Sequence, residues 1–258
     1  MPQSFRQSEI LSLARQQGRV TVDGLAGHFG VSVQTIRRDL TEMAEAGKLD
    51  RVHGGAVLPS GVRNIGYEDR RGLNAQAKAA IARACAGLIA NGSSLFLNIG
   101  TTTEAVAREL LHHTALLVVT NNLNVANILA ANPECEVIVT GGSLRRSDGG
   151  LVGHLTMRTV EQFKLDSAVI GCSALDANGD VLDFDVAEVS VSQGMIARAR
   201  GTMLVADHSK FQRTAPARIA SLREIGTFVT DAPLPPRLQE NCRTWGTKVA
   251  FGGAGPGA

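Results

Sequence analysis

The sequence lacks the features that mark membrane and secreted proteins. The chain of 258 residues contains no run of about eighteen apolar residues, the length at which a transmembrane helix is predicted. Its polar N-terminus has no apolar stretch of the kind found in signal peptides. The four cysteines are widely separated and form no Cys-x-x-Cys pair, which indicates reduced thiols. We therefore expect a cytoplasmic protein with no membrane partner.

Motifs for the common cofactors are also missing. The chain has no Walker-type phosphate loop, no Gly-x-Gly-x-x-Gly fingerprint and no zinc motif, so we predict neither a cofactor nor a metal. Its formal net charge is only +2, which gives no general affinity for a polyanion. Binding to a nucleic acid would require basic residues concentrated in one region.

One such region is the segment Val31–Leu40, which combines a helix start, an apolar stripe and a polar face. Ser32 is a residue type that caps helix N-termini. Apolar residues follow at helical spacing, at Val33, Ile36, Leu40 and Met43. The opposite face carries Gln34, Thr35, Arg37 and Arg38. Arg and Gln read base edges, and Thr and Arg bind phosphates, so this pattern predicts a DNA-recognition helix.

Shorter elements are predicted on both sides of this helix. A first helix has apolar positions at Phe5, Ile10, Leu11 and Leu13. A second helix begins after Thr21 and ends at the turn formed by Gly30. Two short strands, 48–51 and 52–57, would form a wing that carries Arg51 and His53. The order of elements predicts a winged helix-turn-helix, in which the second helix of the pair enters the major groove.

A small helical core with solvated arginines would give a similar pattern. Three segments favour DNA binding, because Phe29–Ser32, Thr35–Leu40 and His53–Ala56 closely resemble the DNA-binding domain of DeoR-type bacterial repressors. The resemblance and the pattern together predict DNA contacts at Ser32, Gln34, Thr35, Arg37, Arg38, Arg51 and His53.

The rest of the chain alternates short apolar runs with helical stretches. Runs rich in Val, Leu and Ile, each followed by a helix, predict a parallel sheet covered on both faces. The fold class is therefore α/β with an N-terminal winged helix-turn-helix. The predicted organisation is a DNA-binding domain over 3–58, a linker over 59–73, an effector-sensing domain over 74–250 and a disordered tail over 251–258.

Small or polar residues follow five predicted strands. They are Asn98–Thr103, Thr120–Asn122, Gly141–Arg145, Gly171–Ser173 and Asp207–Lys210. Ligands of parallel sheets bind at this edge, and a glycine followed by hydroxyls at a helix N-terminus suits an anion. Loops of this kind are commonly built from Gly, Thr and Asn without binding anything. Five on one edge nevertheless favour a small phosphorylated ligand.

Two groups of side chains have the residue types of a catalytic site. The segment Asp207–Ser209 contains those of a hydrolytic triad, but consecutive side chains point in different directions. Asp183, Asp185 and Glu188 could act as a base or as metal ligands, although such clusters more often cap a helix or bind hydroxyls. We predict no catalytic residue and no metal ligand, and therefore not an enzyme.

The second domain also resembles the DeoR family. The matching stretches are Asn98–Val106, Val119–Ala126, Gly141–Arg145 and Asp207–Phe211. They look like the DeoR-type sensor domain, which is similar in fold to ribose-5-phosphate isomerase, glucosamine-6-phosphate deaminase and acyl-CoA transferases. The resemblance implies effector contacts at Gly100, Thr101, Thr102, Thr103, Asn121, Asn122, Gly141, Gly142, Gly171, Asp183, Glu188 and Lys210.

The resemblance implies a transcription factor, usually a repressor, that responds to a phosphorylated sugar or polyol. One small helix-turn-helix covers few base pairs, so we expect a homodimer or homotetramer on double-stranded operator DNA. Two alternatives stay open. One is an activator, or a repressor with a different ligand, such as a hexose or pentose phosphate. The other is a sugar-phosphate isomerase or deaminase with a DNA-binding domain, for which the sequence shows no convincing acid/base pair.

Overall fold

The structure is a computed structural model that describes residues 3–17, 19–46, 48–52, 54–57 and 67–253. The described residues before position 58 and those from 67 onward have separate hydrophobic cores. None of the helices in these ranges is both long and apolar enough to cross a membrane.

The N-terminal part consists of three helices and a three-stranded antiparallel sheet of order β1-β3-β2. Its elements are α1 (Gln3–Gln17), β1 (Arg19–Thr21), α2 (Val22–Phe29), α3 (Val33–Glu45), β2 (Asp50–Val52) and β3 (Gly55–Val57). Strands β2 and β3 form the predicted wing, and Gly54 turns between them with a φ of 74°. Strand β1 was not predicted, because three residues are too few to show alternation.

The predicted caps position the recognition helix. Thr21 Oγ1 accepts a hydrogen bond from the Gly24 N–H (3.1 Å), and Ser32 Oγ accepts one from the Thr35 N–H (3.2 Å). Gly30 ends α2 in the left-handed conformation, with a φ of 63°. Ile36 and Leu40 are fully buried, so α3 is held by its apolar face while its other face is free for contact.

Phe5, one of the apolar positions of the predicted first helix, does not face the core. Its side chain is 56% exposed. The buried stripe of α1 instead passes through Arg6, Ile10 and Ala14, which are four residues apart and therefore lie on one face of the helix. A charged residue at the first of these positions hid the stripe from a search for apolar residues.

The C-terminal part is an α/β domain. Its elements are α4 (Tyr67–Gly72), α5 (Ala75–Ala86), β4 (Ser94–Leu97), α6 (Thr101–Glu109), β5 (Leu116–Thr120), α7 (Leu123–Leu129), β6 (Cys135–Val139), β7 (Ser143–Arg145), β8 (Gly150–Val152), α8 (His154–Glu161), β9 (Leu165–Ile170), β10 (Ala174–Leu175), β11 (Asp180–Asp183), α9 (Val186–Ala197), β12 (Ala199–Val205), β13 (Ala217–Ser221), β14 (Thr227–Thr230), α10 (Pro236–Trp245) and β15 (Lys248–Phe251). This confirms the predicted fold class.

A seven-stranded parallel sheet of order β15-β14-β12-β9-β4-β5-β6 forms the centre of this domain. Helices α5, α6 and α7 pack on one face, against Leu97 and Val169. Helices α8 and α9 pack on the other, against Phe96 and Ile170. All seven strands point the same way, so the loops that follow them meet at one edge.

Two predicted boundaries need correction. The predicted tail begins too early, because Phe251 ends β15 and the Gly252 N–H donates to the Thr230 carbonyl (2.8 Å). In addition, α4 lies inside the predicted linker, whose residues 59–66 lie outside the described ranges.

Candidate DNA-binding surface and effector site

The exposed face of α3 forms the recognition surface, a shallow concave surface lined by Ser32, Gln34, Thr35, Arg37, Arg38 and Thr41. Five of these residues were predicted to contact DNA. Thr41 was missed, although it lies one turn after Arg37 and its hydroxyl donates to the Arg37 carbonyl (2.8 Å). The structure therefore brings hydroxyl, amide and guanidinium groups together on one helix face.

The two remaining predicted DNA contacts belong to the wing. Arg51 Nη1 donates to the Arg37 carbonyl (3.1 Å), so the wing arginine sits beside the recognition helix. His53 lies outside the described residues. Arg38 forms an exposed ion pair with Glu42 (3.6 Å), a type that contributes little free energy and is easily exchanged for a phosphate.

A buried ion pair fixes the recognition helix to α1. Arg6 donates to both carboxylate oxygens of Asp39, from Nε (2.5 Å) and Nη2 (3.1 Å). Asp39 is fully buried, so it faces away from the recognition surface and would not repel DNA phosphates. Arg6 is thus the arginine that Asp39 orients.

The candidate effector site is a cavity at the carboxyl edge of the parallel sheet. Its lining includes seven predicted residues: Gly100, Thr101, Thr102, Gly171, Asp183, Glu188 and Lys210. It also includes four that were not predicted: Arg70, Ile99, Cys172 and Ser173. The cavity has a volume of about 20 Å³, close to the space that one water molecule needs.

Five predicted effector residues do not line this cavity. They are Thr103, Asn121, Asn122, Gly141 and Gly142. Asn122 caps α7, and the Thr103 hydroxyl donates to the carbonyls of Asn98 and Gly100. A Cβ at Gly142 would lie 2.7 Å from the Val152 carbonyl oxygen, so this glycine permits close packing of the β7–β8 hairpin. These residues shape the loops around the site, and their contact with an effector stays a prediction.

Four cations and one carboxylate form a cluster beside the cavity. Arg70, Lys78, Lys210 and Arg213 interact electrostatically with one another or with Asp207. Burial, and then the charge of Lys210, lowers the pKa of Lys78 to about 8. Burial, and then Arg213, lowers the pKa of Lys210. Burial would raise the pKa of Asp207, but Lys210 and hydrogen bonds bring it down to about 2.

Two guanidinium atoms of this cluster are left unpaired. Within the described part of the chain, Arg70 Nε and Arg213 Nη1 are buried and have no hydrogen-bond partner. Buried donors are normally satisfied, because an unpaired one costs about 1–3 kcal/mol. A surplus of buried positive charge with unused donors is the arrangement expected of an anion site.

Acidic side chains also line or adjoin the cavity. Arg145 donates to Asp148 (2.5 Å), Asp185 (2.7 Å) and Glu188 (2.5 Å) and so holds three carboxylates together. Burial, and then the charge of Asp183, raises the pKa of Glu188 to about 8. A carboxyl that is protonated near neutral pH can donate to a hydroxyl as well as accept from one.

The side chains of Asp207–Ser209 do not form a triad. Ser209 Oγ donates to Asp207 Oδ1 (2.5 Å), whereas His208 Nδ1 is paired with Asp231 (2.6 Å). The hydroxyl and the imidazole thus face different carboxylates, without the nucleophile–base line that hydrolysis requires. The described residues also contain no group of three or more His, Cys, Asp or Glu side chains placed to hold a metal.

Two domain families match this chain. Residues 6–62 match the DeoR-like helix-turn-helix domain, and residues 73–232 match the DeoR C terminal sensor domain. The chain belongs to the DeoR family.

Full-length relatives agree with this assignment. The glycerol-3-phosphate regulon repressor of Escherichia coli (strain K12) is 46% identical over 235 residues, which cover 91% of this chain and 93% of that protein. The protein of the same name from Haemophilus influenzae is 46% identical over 234 residues, with coverage of 90% and 91%. A solved ribose-5-phosphate isomerase with phospho-erythronic acid has a TM-score of 0.41 and 14% identity, covering 53% of this chain and 54% of that one. A TM-score this low carries no information on function.

Membership of the DeoR family confirms the prediction of a transcriptional regulator, not an enzyme. Within the family, Leu182–Asp185, Asn121–Asn127 and Thr230–Pro233 resemble the glycerol-3-phosphate regulon repressor. The identities to the Escherichia coli and Haemophilus influenzae proteins confirm that resemblance.

The sequence contained signals for only some of the missed residues of this DeoR-family site. Arg213 lies three residues after Lys210, in the loop that follows β12, and a search for cations at strand ends would have found it. Arg70 belongs to a run of charged residues, a pattern that is typical of a solvated surface. Lys78 lies in the alanine-rich helix α5, where nothing in the local pattern shows that its side chain is buried.

Proposed function

We propose that this protein is a repressor that binds operator DNA through the recognition surface and is released by glycerol-3-phosphate bound in the effector site. The observation that carries the proposal is the buried cluster of cations with unpaired guanidinium atoms next to the N-terminus of α6. The 46% identity to glycerol-3-phosphate regulon repressors supports the choice of ligand.

The basic and the acidic groups of the cavity suit the two ends of this ligand. The phosphate would accept from backbone N–H groups at Gly100–Thr102, from the Thr102 hydroxyl and from Lys210, where the helix dipole also favours an anion. The glycerol hydroxyls would face Asp183 and Glu188. The remaining hydrogen-bonding capacity of these two carboxyl groups would favour a ligand that carries hydroxyls over an analogue without them.

On the DNA side, Gln34 and Arg38 would contact base edges or phosphates, with Thr35, Thr41 and Arg37 on the same face. The protein would act as a homodimer or homotetramer, because one helix-turn-helix reads only one half-site. If the effector binds the form with low operator affinity more tightly, it lowers operator affinity by the same coupling free energy.

Ligand-induced stabilisation tests the effector assignment. Glycerol-3-phosphate at about 100 times its dissociation constant should stabilise the protein by about 2.7 kcal/mol and release a labelled operator fragment. Glycerol and inorganic phosphate, each of which fills one half of the site, should do much less. If a hexose or pentose phosphate stabilises the protein more than glycerol-3-phosphate does, that sugar phosphate is the effector.

Variants locate the site. Thr102→Val and Lys210→Met should raise the glycerol-3-phosphate concentration needed for release at least tenfold, because each removes a donor to the phosphate. The matched control is Lys248→Met, which removes a charge from an exposed position of the same domain. If Thr102→Val and Lys210→Met both respond to glycerol-3-phosphate like the parent protein, the phosphate binds elsewhere.

A further inference from the structure

One wall of the effector cavity comes from outside the sheet. Arg70 lies on α4, which directly follows residues 58–66 and thus the connection to the DNA-binding domain. The cavity of about 20 Å³ has room for about one water molecule, so any phosphate ester requires part of its wall to move.

The walls supplied by the sheet are firmly held. The Gly171 N–H donates to Asn98 Oδ1 (2.9 Å), and Asn98 Nδ2 donates to Ser192 (3.1 Å). The loop that opens α6 is closed by the bonds of the Thr103 hydroxyl. These groups connect β4, β9 and α9 through buried hydrogen bonds, so the movement is not expected there.

The side chain of Arg70 is held much less firmly. Its Nη2 donates to Asp148 at 3.4 Å, which is long for a charge-assisted bond, and its Nε is buried without a partner in the described structure. Asp148 does not depend on Arg70, because Arg145 already donates to both its oxygens at 3.0 and 2.5 Å. The segment that leads to the DNA-binding domain therefore contributes a weakly held side chain to the cavity wall.

We propose that Arg70 is a ligand of the effector phosphate and that the phosphate takes this guanidinium away from Asp148, moving α4. A phosphate offers several acceptors to both Nε and Nη2, whereas Asp148 accepts one long bond from Nη2. The exchange leaves Asp148 paired with Arg145, so no carboxylate is left without a partner.

Movement of Arg70 would be passed to the rest of α4. The Arg70 carbonyl accepts hydrogen bonds from Lys78 Nζ and Thr101 Oγ1, and the Tyr67 hydroxyl donates to Glu104 (2.9 Å). Asn124 Nδ2 donates to the Tyr67 hydroxyl (2.9 Å). These contacts tie the segment to α5, α6 and α7, so a shift of Arg70 would change where the chain leaves the sensor domain toward the recognition surface.

The inference rests on the proposed function and is tested by calorimetric titration of the full chain with glycerol-3-phosphate. Arg70→Gln should weaken binding at least tenfold, because it removes a charged donor to the phosphate, and Arg70→Lys should recover part of the loss. The control is Arg71→Gln, the same change one residue along α4, where the exposed guanidinium lies over the Tyr67 ring. It should bind like the parent protein.

Two further measurements separate a phosphate ligand from a merely structural residue. Asp148→Asn should tighten binding about threefold, because the competing acceptor loses its charge. Hydrogen exchange in peptides covering 67–78 should change on addition of glycerol-3-phosphate in the parent protein and not in Arg70→Gln.

The outcomes distinguish the two proposals. A parent protein that shows no saturable binding of glycerol-3-phosphate overturns the proposed function. A parent protein that binds it, with Arg70→Gln and Arg71→Gln within twofold of each other, overturns the role of Arg70 and leaves the proposed function standing. Unchanged exchange at 67–78 in a parent protein that binds overturns the movement of α4.

Discussion

The recognition surface and the effector site both present cations, but they hold them in opposite ways. The side chain of Arg38 on the recognition surface is 68% exposed and has a loose carboxylate partner. The side chain of Arg70 at the effector site is 15% exposed, and Lys210 is buried. Exposed cations keep their hydration, whereas buried ones lose it and repel each other.

This difference follows from the two kinds of phosphate. A DNA backbone is a long surface ligand, so solvated arginines can reach it and counterion release supplies the affinity. A small phosphate ester has to be enclosed to be bound specifically, so its cations must be buried before it arrives. The effector site therefore carries an electrostatic cost without its ligand, and that cost favours anion binding.

The largest effect is expected when the buried charge pair described for the DNA-binding part is broken. Asp39→Ala should destabilise that part by about 3–5 kcal/mol, because Arg6 would remain as a buried, unpaired charge. Calorimetric unfolding of the full chain should then show a separate transition at lower temperature, with loss of operator binding.

A double variant separates charge from packing. Arg6→Met combined with Asp39→Leu replaces both members of the pair by apolar side chains of similar volume and should restore most of the stability. If the double variant is as unstable as Asp39→Ala alone, the pair matters through its geometry and not through the unpaired charge.

A smaller effect is expected at the exposed cations. Arg38→Gln should weaken operator binding and reduce the slope of log affinity against log salt concentration by about 0.9, the value for one phosphate contact. The control Arg108→Gln removes an exposed arginine from α6, and its slope should match that of the parent protein. A parental slope with Arg38→Gln would show that Arg38 makes no phosphate contact.

Features set by local sequence were predictable. The caps at Thr21 and Ser32, the polar face of α3 and six of the parallel strands follow from side-chain chemistry and periodicity within a few residues. The β7–β8 hairpin and the sheet β10-β11-β13 were not predicted, because their short strands lack the continuous apolar runs of the buried parallel strands and their pairing is non-local.

The effector site was predictable only along the strand ends. Gly100, Gly171 and Lys210 follow strands, so the topology of a parallel sheet brings them together. Arg70 and Lys78 reach the site from helices whose position depends on tertiary packing. Their sequence context, a charged run and an alanine-rich helix, is the same as that of solvated residues.

The smallest expected effect is a pH dependence that belongs to the effector site alone. The pKa of Lys78 is lowered to about 8 by burial and by Lys210, so the ligand-free protein loses this charge as pH rises through 8. A bound phosphate raises that pKa again, so binding takes up a proton and weakens with rising pH, by about threefold between pH 7.5 and 8.5.

Titration of the ligand itself does not contribute to this pH dependence, because a phosphate monoester is already a dianion above pH 7. Titration of glycerol-3-phosphate across this range should show the full trend in the parent protein and in the exposed control Lys248→Arg. Lys78→Arg, whose charge is permanent, should show a weaker trend, because Glu188, with a pKa also raised to about 8, still loses its proton there. Operator affinity without effector should not follow the same curve, and a parallel fall in both would place the titrating group outside the effector site.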